Sequence, residues 1–147
     1  EIYTLSLHDA LPICYSFSAV KGNTLEPVGN VEGVKVLWET LGTDNTPEEG
    51  QIIFPTVKYK AGQNSIYFKT NDIFTEGSAV IAAYSDKDCS EGNVLWSWHI
   101  WAVSEDLESK IQIYNNNFGG KVCALMDRNL GTVTTDCNSR FYNFSLM

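Results

Sequence analysis

Ten consecutive residues, Val94–Val103 (VLWSWHIWAV), constrain this chain more than any other stretch. Alternation sets Val94, Trp96, Trp98 and Ile100 against Leu95, Ser97, His99 and Trp101. A period of two is the pattern of a β-strand with two unlike faces, and a helix would scatter the same side chains around its circumference. Each buried aromatic removes about 150–250 Å² from water, so a strand this rich in tryptophan needs an apolar layer facing it. The first face therefore reads as the core side of a β-sandwich. A second reading makes the tryptophans a platform for sugar, because an indole face stacks well on a pyranose ring. The candidate ligand-binding residues on the more polar face are Trp101 and His99. Trp38 is assigned to the core.

The rest of the chain repeats the strand pattern at lower intensity. Tyr15–Val20 puts Tyr15, Phe17 and Ala19 on one side and Ser16 and Ser18 on the other. Val34–Thr40 sets Val34, Val36 and Trp38 against Lys35, Leu37 and Glu39. Gln51–Lys60 reads as a strand broken by Pro55, which marks an edge or a bulge. The turn Ala61-Gly62-Gln63-Asn64 leads into Ser65–Lys69, and Ser78–Tyr84 is a strand of small apolar residues. Gly42–Gly50 and Ser85–Asn93 are polar loops rich in turn formers. No segment from Tyr15 to Val103 sustains a helical i, i+3, i+4 pattern, and Ser104–Ser109 suits one helical turn at most. Ile111–Tyr114 and Val122–Met126 read as two further short strands around Asn115–Gly120. Strands recurring at such short intervals with turns between them predict an all-β, antiparallel sandwich.

Charge and residue counts narrow the function. Ten basic residues against 18 acidic give a net charge of −8 with no basic stripe, which argues against nucleic acid and anionic lipid as partners. No apolar run approaches the ~20 residues of a membrane-spanning helix. Two histidines and four cysteines leave little material for a catalytic or metal cluster, so no metal, no cofactor and no catalytic residue is assigned. His99 has no Asp, Ser or Cys at an informative spacing. Asp86–Gly92 resembles a cramped calcium loop, but its glycine is one place late and the closing glutamate is missing, so a strand-connecting turn is preferred. Asp127-Arg128-Asn129-Leu130-Gly131 suits a tight turn, and Glu48 and Glu49 sit in a solvated acidic loop. Asn143-Phe144-Ser145 matches a glycosylation sequon, a pattern common by chance. Cys123 and Cys137 are the best-placed pair for a disulfide, with connectivity left open.

Glu1–Ile13 (EIYTLSLHDALPI) resembles the conceptual translation of a sequencing adapter. A segment of that origin was never selected to pack, so few specific contacts are expected from it. The natural N-terminus is then expected to be missing, the chain to be a metagenomic fragment, and residue 14 to mark the junction. Setting it aside leaves His99 as the single histidine.

From Tyr15 to Gly131 the chain resembles fimbrillin-like surface proteins of Bacteroidetes, which join an immunoglobulin-like β-sandwich to a Fibrobacter succinogenes major paralogous type domain. The resemblance is carried by YSFSAVKGN (Tyr15–Asn23), VKVLWETLGTD (Val34–Asp44), EGSAVIAAYSD (Glu76–Asp86), VLWSWHIW (Val94–Trp101) and MDRNLG (Met126–Gly131). It departs after Gly131, where the family continues into a Gly- and aromatic-rich stretch and this chain runs TVTTDCNSRFYNFSLM. The resemblance implies an immunoglobulin-like sandwich over residues 14–103 and a truncated, β-rich start of a second domain over 104–147. It also implies a non-enzymatic cell-surface or fimbrial adhesion component on the extracellular side of the outer membrane, with pilus subunits, surface subunits or glycans as partners. The alternative is a carbohydrate-binding module of a polysaccharide-handling surface protein. Exposed tryptophans would favour that alternative, and buried ones the structural reading.

Overall fold

The computed structural model describes residues 2–6, 14–22, 24–41, 52–53, 56–116 and 121–127. Among the described residues nine strands follow one another: β1 (Ile2–Ser6), β2 (Cys14–Ser18), β3 (Gly33–Leu41), β4 (Lys58–Lys60), β5 (Ser65–Lys69), β6 (Gly77–Tyr84), β7 (Val94–Val103), β8 (Gln112–Asn116) and β9 (Lys121–Leu125). Helix is confined, among the described residues, to two short 3₁₀ turns at Ala61–Gln63 and Glu108–Lys110. The chain is all-β. Four strands form one sheet in the order β1-β7-β6-β3, three form a second in the order β2-β5-β4, and β8 and β9 pair as a separate hairpin. The pairings are antiparallel except that of β1 with β7, which is parallel.

The two larger sheets pack face to face. β7 turns Trp98, Ile100 and Ala102 inward, with Trp96 packed beside them, and β6 adds Ala79, Ile81 and Ala83. The second sheet meets them with Phe17, Ile66 and Phe68. The inward face of β7 is thus the one its alternation selects, although Val94 at its entry is 45% exposed and lies outside the core. β6 is buried on both faces for most of its length, which its run of small residues permits. Trp98 spans the interface. Its indole lies edge-on to the Phe17 ring at 5.3 Å, and its Nε1 donates to the Val20 carbonyl oxygen at 3.0 Å. A fully buried indole needs such a partner, and this one comes from the chain leaving the opposite sheet.

The turn between β4 and β5 is anchored by Asn64, which takes a left-handed backbone conformation. Its Oδ1 accepts from the Tyr59 hydroxyl at 3.0 Å and its carbonyl from the Ala19 backbone N–H at 2.8 Å. This asparagine fixes the β4–β5 register and ties the turn to the end of β2.

β3 departs from the expected facing. Its register against β6 shifts between Val36 and Trp38, so Leu37 is bulged and left 41% exposed. One extra residue in a strand exchanges the faces of everything after it. Val36 points into the core as expected, but Trp38 moves to the outer face and Glu39 moves inside. Glu39 is fully buried, and its two carboxylate oxygens accept the backbone N–H groups of Ile52 and Ile53, each at 2.8 Å. Charge-assisted bonds of this kind satisfy two backbone donors that burial would otherwise orphan. Ile52 and Ile53 in turn enter the core, and Ile53 forms a β-bridge with Thr70.

One other expectation changes. Ile2–Ser6 forms an edge strand in register with His99–Val103, where few specific contacts were expected of residues 1–13. Cys123 is a free, exposed thiol, and Cys137 lies outside the described residues. Val122 and Leu125 of β9 and Ile113 and Tyr114 of β8 are all exposed. Residues 42–50, 128–131 and 143–145, with their acidic loop, tight turn and sequon, also lie outside the described residues.

Two substitutions test this packing. Trp98→Ala removes the indole between the sheets and is expected to cost about 3–5 kcal/mol in urea denaturation. Glu39→Ala leaves two buried N–H groups without acceptors and is expected to cost roughly 2–5 kcal/mol, with Glu39→Gln, which keeps one acceptor oxygen, losing less.

Candidate functional site

The bulge in β3 gives the outer face of the four-stranded sheet its character. Pairing across β3, β6 and β7 aligns Trp38, Val80 and His99 in one row and Thr40, Ser78 and Trp101 in the next. The rings of Trp38 and His99 lie 6.4 Å apart, inclined by 41°. The two ligand-binding candidates read from the sequence therefore lie two residues apart on one face of β7. Trp101 is fully buried and clusters with Val103 and Leu107. Its indole is part of a second, smaller apolar core, and its face is covered where a sugar platform needs it open. His99 is only partly buried.

Neither candidate is satisfied in its polar chemistry. Trp101 Nε1 and His99 Nε2 are buried without a hydrogen-bond partner. Burial, and secondarily the positive charge of the chain's amino terminus, holds the His99 imidazole below its ordinary pKa. A base that resists protonation in the folded state is neutral at neutral pH. Among the described residues no carboxylate or nucleophile pairs with His99 Nε2. Among the described residues no group of three or more His, Cys, Asp or Glu side chains is placed to hold a metal ion. The Asp86–Gly92 segment is a turn in which the Asp86 carboxylate accepts from the Ser90 backbone N–H at 3.1 Å and from its hydroxyl at 3.1 Å. Among those residues no helix is long and apolar enough to cross a membrane.

The open face of the second sheet carries a different group of side chains. Ile66 and Phe68 of β5 point into the core, so Tyr67 points outward. Its neighbours across the sheet are Ser16 on β2 and Lys58 on β4. Lys69, one pleat further along β5, pairs with residue 14, and Lys60 pairs with Ser65. The Tyr67 hydroxyl donates to the Gln63 side-chain carbonyl, which fixes the ring. Cys14, Thr56, Lys58, Tyr67, Phe68 and Lys69 surround an open concavity of about 300 Å³. The signal for this face was present in the sequence, as the alternation Lys58-Tyr59-Lys60 and the turn that sets Lys58 against Tyr67. Reading it required the strand register, which the Val94–Val103 pattern does not supply.

Comparison of the chain with protein-family models, with curated proteins and with solved structures gives no match.

The depressed basicity of His99 has a sign that can be measured. Between the ordinary imidazole pKa near 6.5 and the lower folded value, the unfolded chain binds the extra proton. Stability contributed by the neutral ring is therefore present above that window and lost as pH falls through it. The thermal stability of the wild-type protein should fall between pH 7 and 5 more steeply than that of His99→Leu. Parallel pH profiles would show that the ring is not held neutral.

Proposed function

We propose that the chain is a non-enzymatic component of a bacterial cell surface or fimbria that acts in adhesion. The family reading carried by VLWSWHIW and MDRNLG supports this assignment, including an immunoglobulin-like character for the two-sheet sandwich. The observation that favours it over a tryptophan-based carbohydrate module is the burial of Trp98 and Trp101, both fully removed from solvent. Those two indoles serve the interior and offer no open face for a sugar to stack on. Such a module contributes a rigid scaffold whose outer faces and loops make the contacts.

The test is location. An antiserum raised against the purified chain should label intact cells of a bacterium that carries the gene, and brief trypsin treatment of those cells should remove the signal. A protein recovered only from the cytoplasmic fraction, protected until lysis, would overturn the surface assignment.

A further inference from the structure

We propose that the outward face of β2-β5-β4 is a binding site for an acidic polysaccharide, with the Tyr67 ring as its stacking surface and Lys58, beside it on β4, as its anion-pairing group. The inference concerns a face that the tryptophan strand does not form, and it holds wherever the chain resides.

Charge is the first argument. The protein carries −8 overall and has only ten basic residues, yet Lys58, Lys60 and Lys69 share this one small face. Lys58 and Lys60 stand two residues apart on β4, about 7 Å along the strand. Neither forms an ion pair with a described residue, whereas Lys69 meets Asp72 at 3.4 Å.

Shape and chemistry then choose among anions. Between the lysines lies the half-buried ring of Tyr67, held by Gln63, beside a shallow concavity with mostly apolar walls. An aromatic surface set beside a positive charge takes the C–H face of a sugar ring, an interaction that a bare phosphate cannot make. Its volume of about 300 Å³ is at the small end of ligand pockets, which fits one ring of a longer chain. Ser16 and Ser18 on β2 and Ser65 on β5 line the same outward side and offer hydroxyls to sugar oxygens. A duplex nucleic acid carries one charge per ~1.7 Å and would be repelled by the acidic remainder of the protein. A polysaccharide with a single carboxylate or sulfate on each ring presents far lower charge density, and its rings supply the stacking partner.

The experiment is affinity electrophoresis of the full chain through gels containing polygalacturonate, dextran sulfate of low substitution with no more than about one sulfate on each ring, or unsubstituted dextran. Retardation is expected in one or both acidic gels and not in dextran, and the stronger of the two identifies the carboxylate or the sulfate as the preferred group. Tyr67→Ala and Lys58→Glu, both on the solvent side of the sheet, should each lower affinity about tenfold while circular dichroism remains unchanged. Tyr67→Phe, which keeps the ring, should retain most of the binding. Absence of retardation, equal retardation by dextran, or binding that survives both Tyr67→Ala and Lys58→Glu would overturn the proposal. Retardation by duplex DNA as strong as by the acidic polysaccharides, and unaffected by Tyr67→Ala, would also overturn it as mere counterion exchange. None of these outcomes depends on where the protein is found in the cell, so they separate from the surface assignment.

Discussion

The indole of Trp98 is the contact on which the two sheets depend. It belongs to β7 in the four-stranded sheet, yet its edge meets Phe17 of the three-stranded sheet and its N–H reaches the Val20 carbonyl beyond β2. Aliphatic contacts across a sandwich are non-directional, so they constrain the sheets less specifically than a polar contact does. An aromatic with one directional hydrogen bond supplies that specificity, because the ring must fill its gap and its donor must find one acceptor. The neighbouring inward residues of β6 are Ala79, Ile81 and Ala83, with the alanines leaving room for the larger rings. The size alternation across the interface is what lets one tryptophan reach the other sheet.

A single extra residue in β3 shapes both sides of that same sheet. By exchanging faces at Leu37, the bulge carries Glu39 inward, where it holds Ile52 and Ile53 by their backbone N–H groups, and carries Trp38 outward over Val80 toward His99. The buried carboxylate fastens a segment that also packs Ile52 and Ile53 into the core and bridges Ile53 to Thr70. Outside, the aromatic row leaves His99 partly buried and Trp101 wholly so. The face that looks chemically richest in the sequence therefore does structural service, and the exposed pairing of aromatic and cationic side chains lies on the opposite sheet.

Much of the fold was legible because strands announce themselves by period two. β7 runs over the same ten residues that its alternation marks, and β2, β5 and β6 begin and end within two residues of their expected limits. The turn at Ala61–Asn64 is equally plain in its residues. What was not legible is register. A bulge adds one residue without altering composition, so Val34–Thr40 reads as an unbroken strand and Trp38 is assigned to the wrong face. Pairing of Ile2–Ser6 with β7 was not legible for a related reason, since an edge strand needs only backbone groups to join and carries no demand on sequence. Among the site residues, His99 and Trp101 were found on one face as alternation requires. Their burial was hidden, because it depends on what packs over that face. Tyr67, Lys58 and Lys69 are ordinary one by one and become a group only when β5 lies between β2 and β4.

The account stands on Trp98 being sealed between the sheets with its N–H engaged, and hydrogen exchange of the Trp98 indole followed by NMR tests this most directly. The indole proton should exchange only through global unfolding, at the rate of the slowest backbone amides of β6 and β7. Exchange as rapid as that of a solvent-exposed indole, in protein that is otherwise folded, would contradict it.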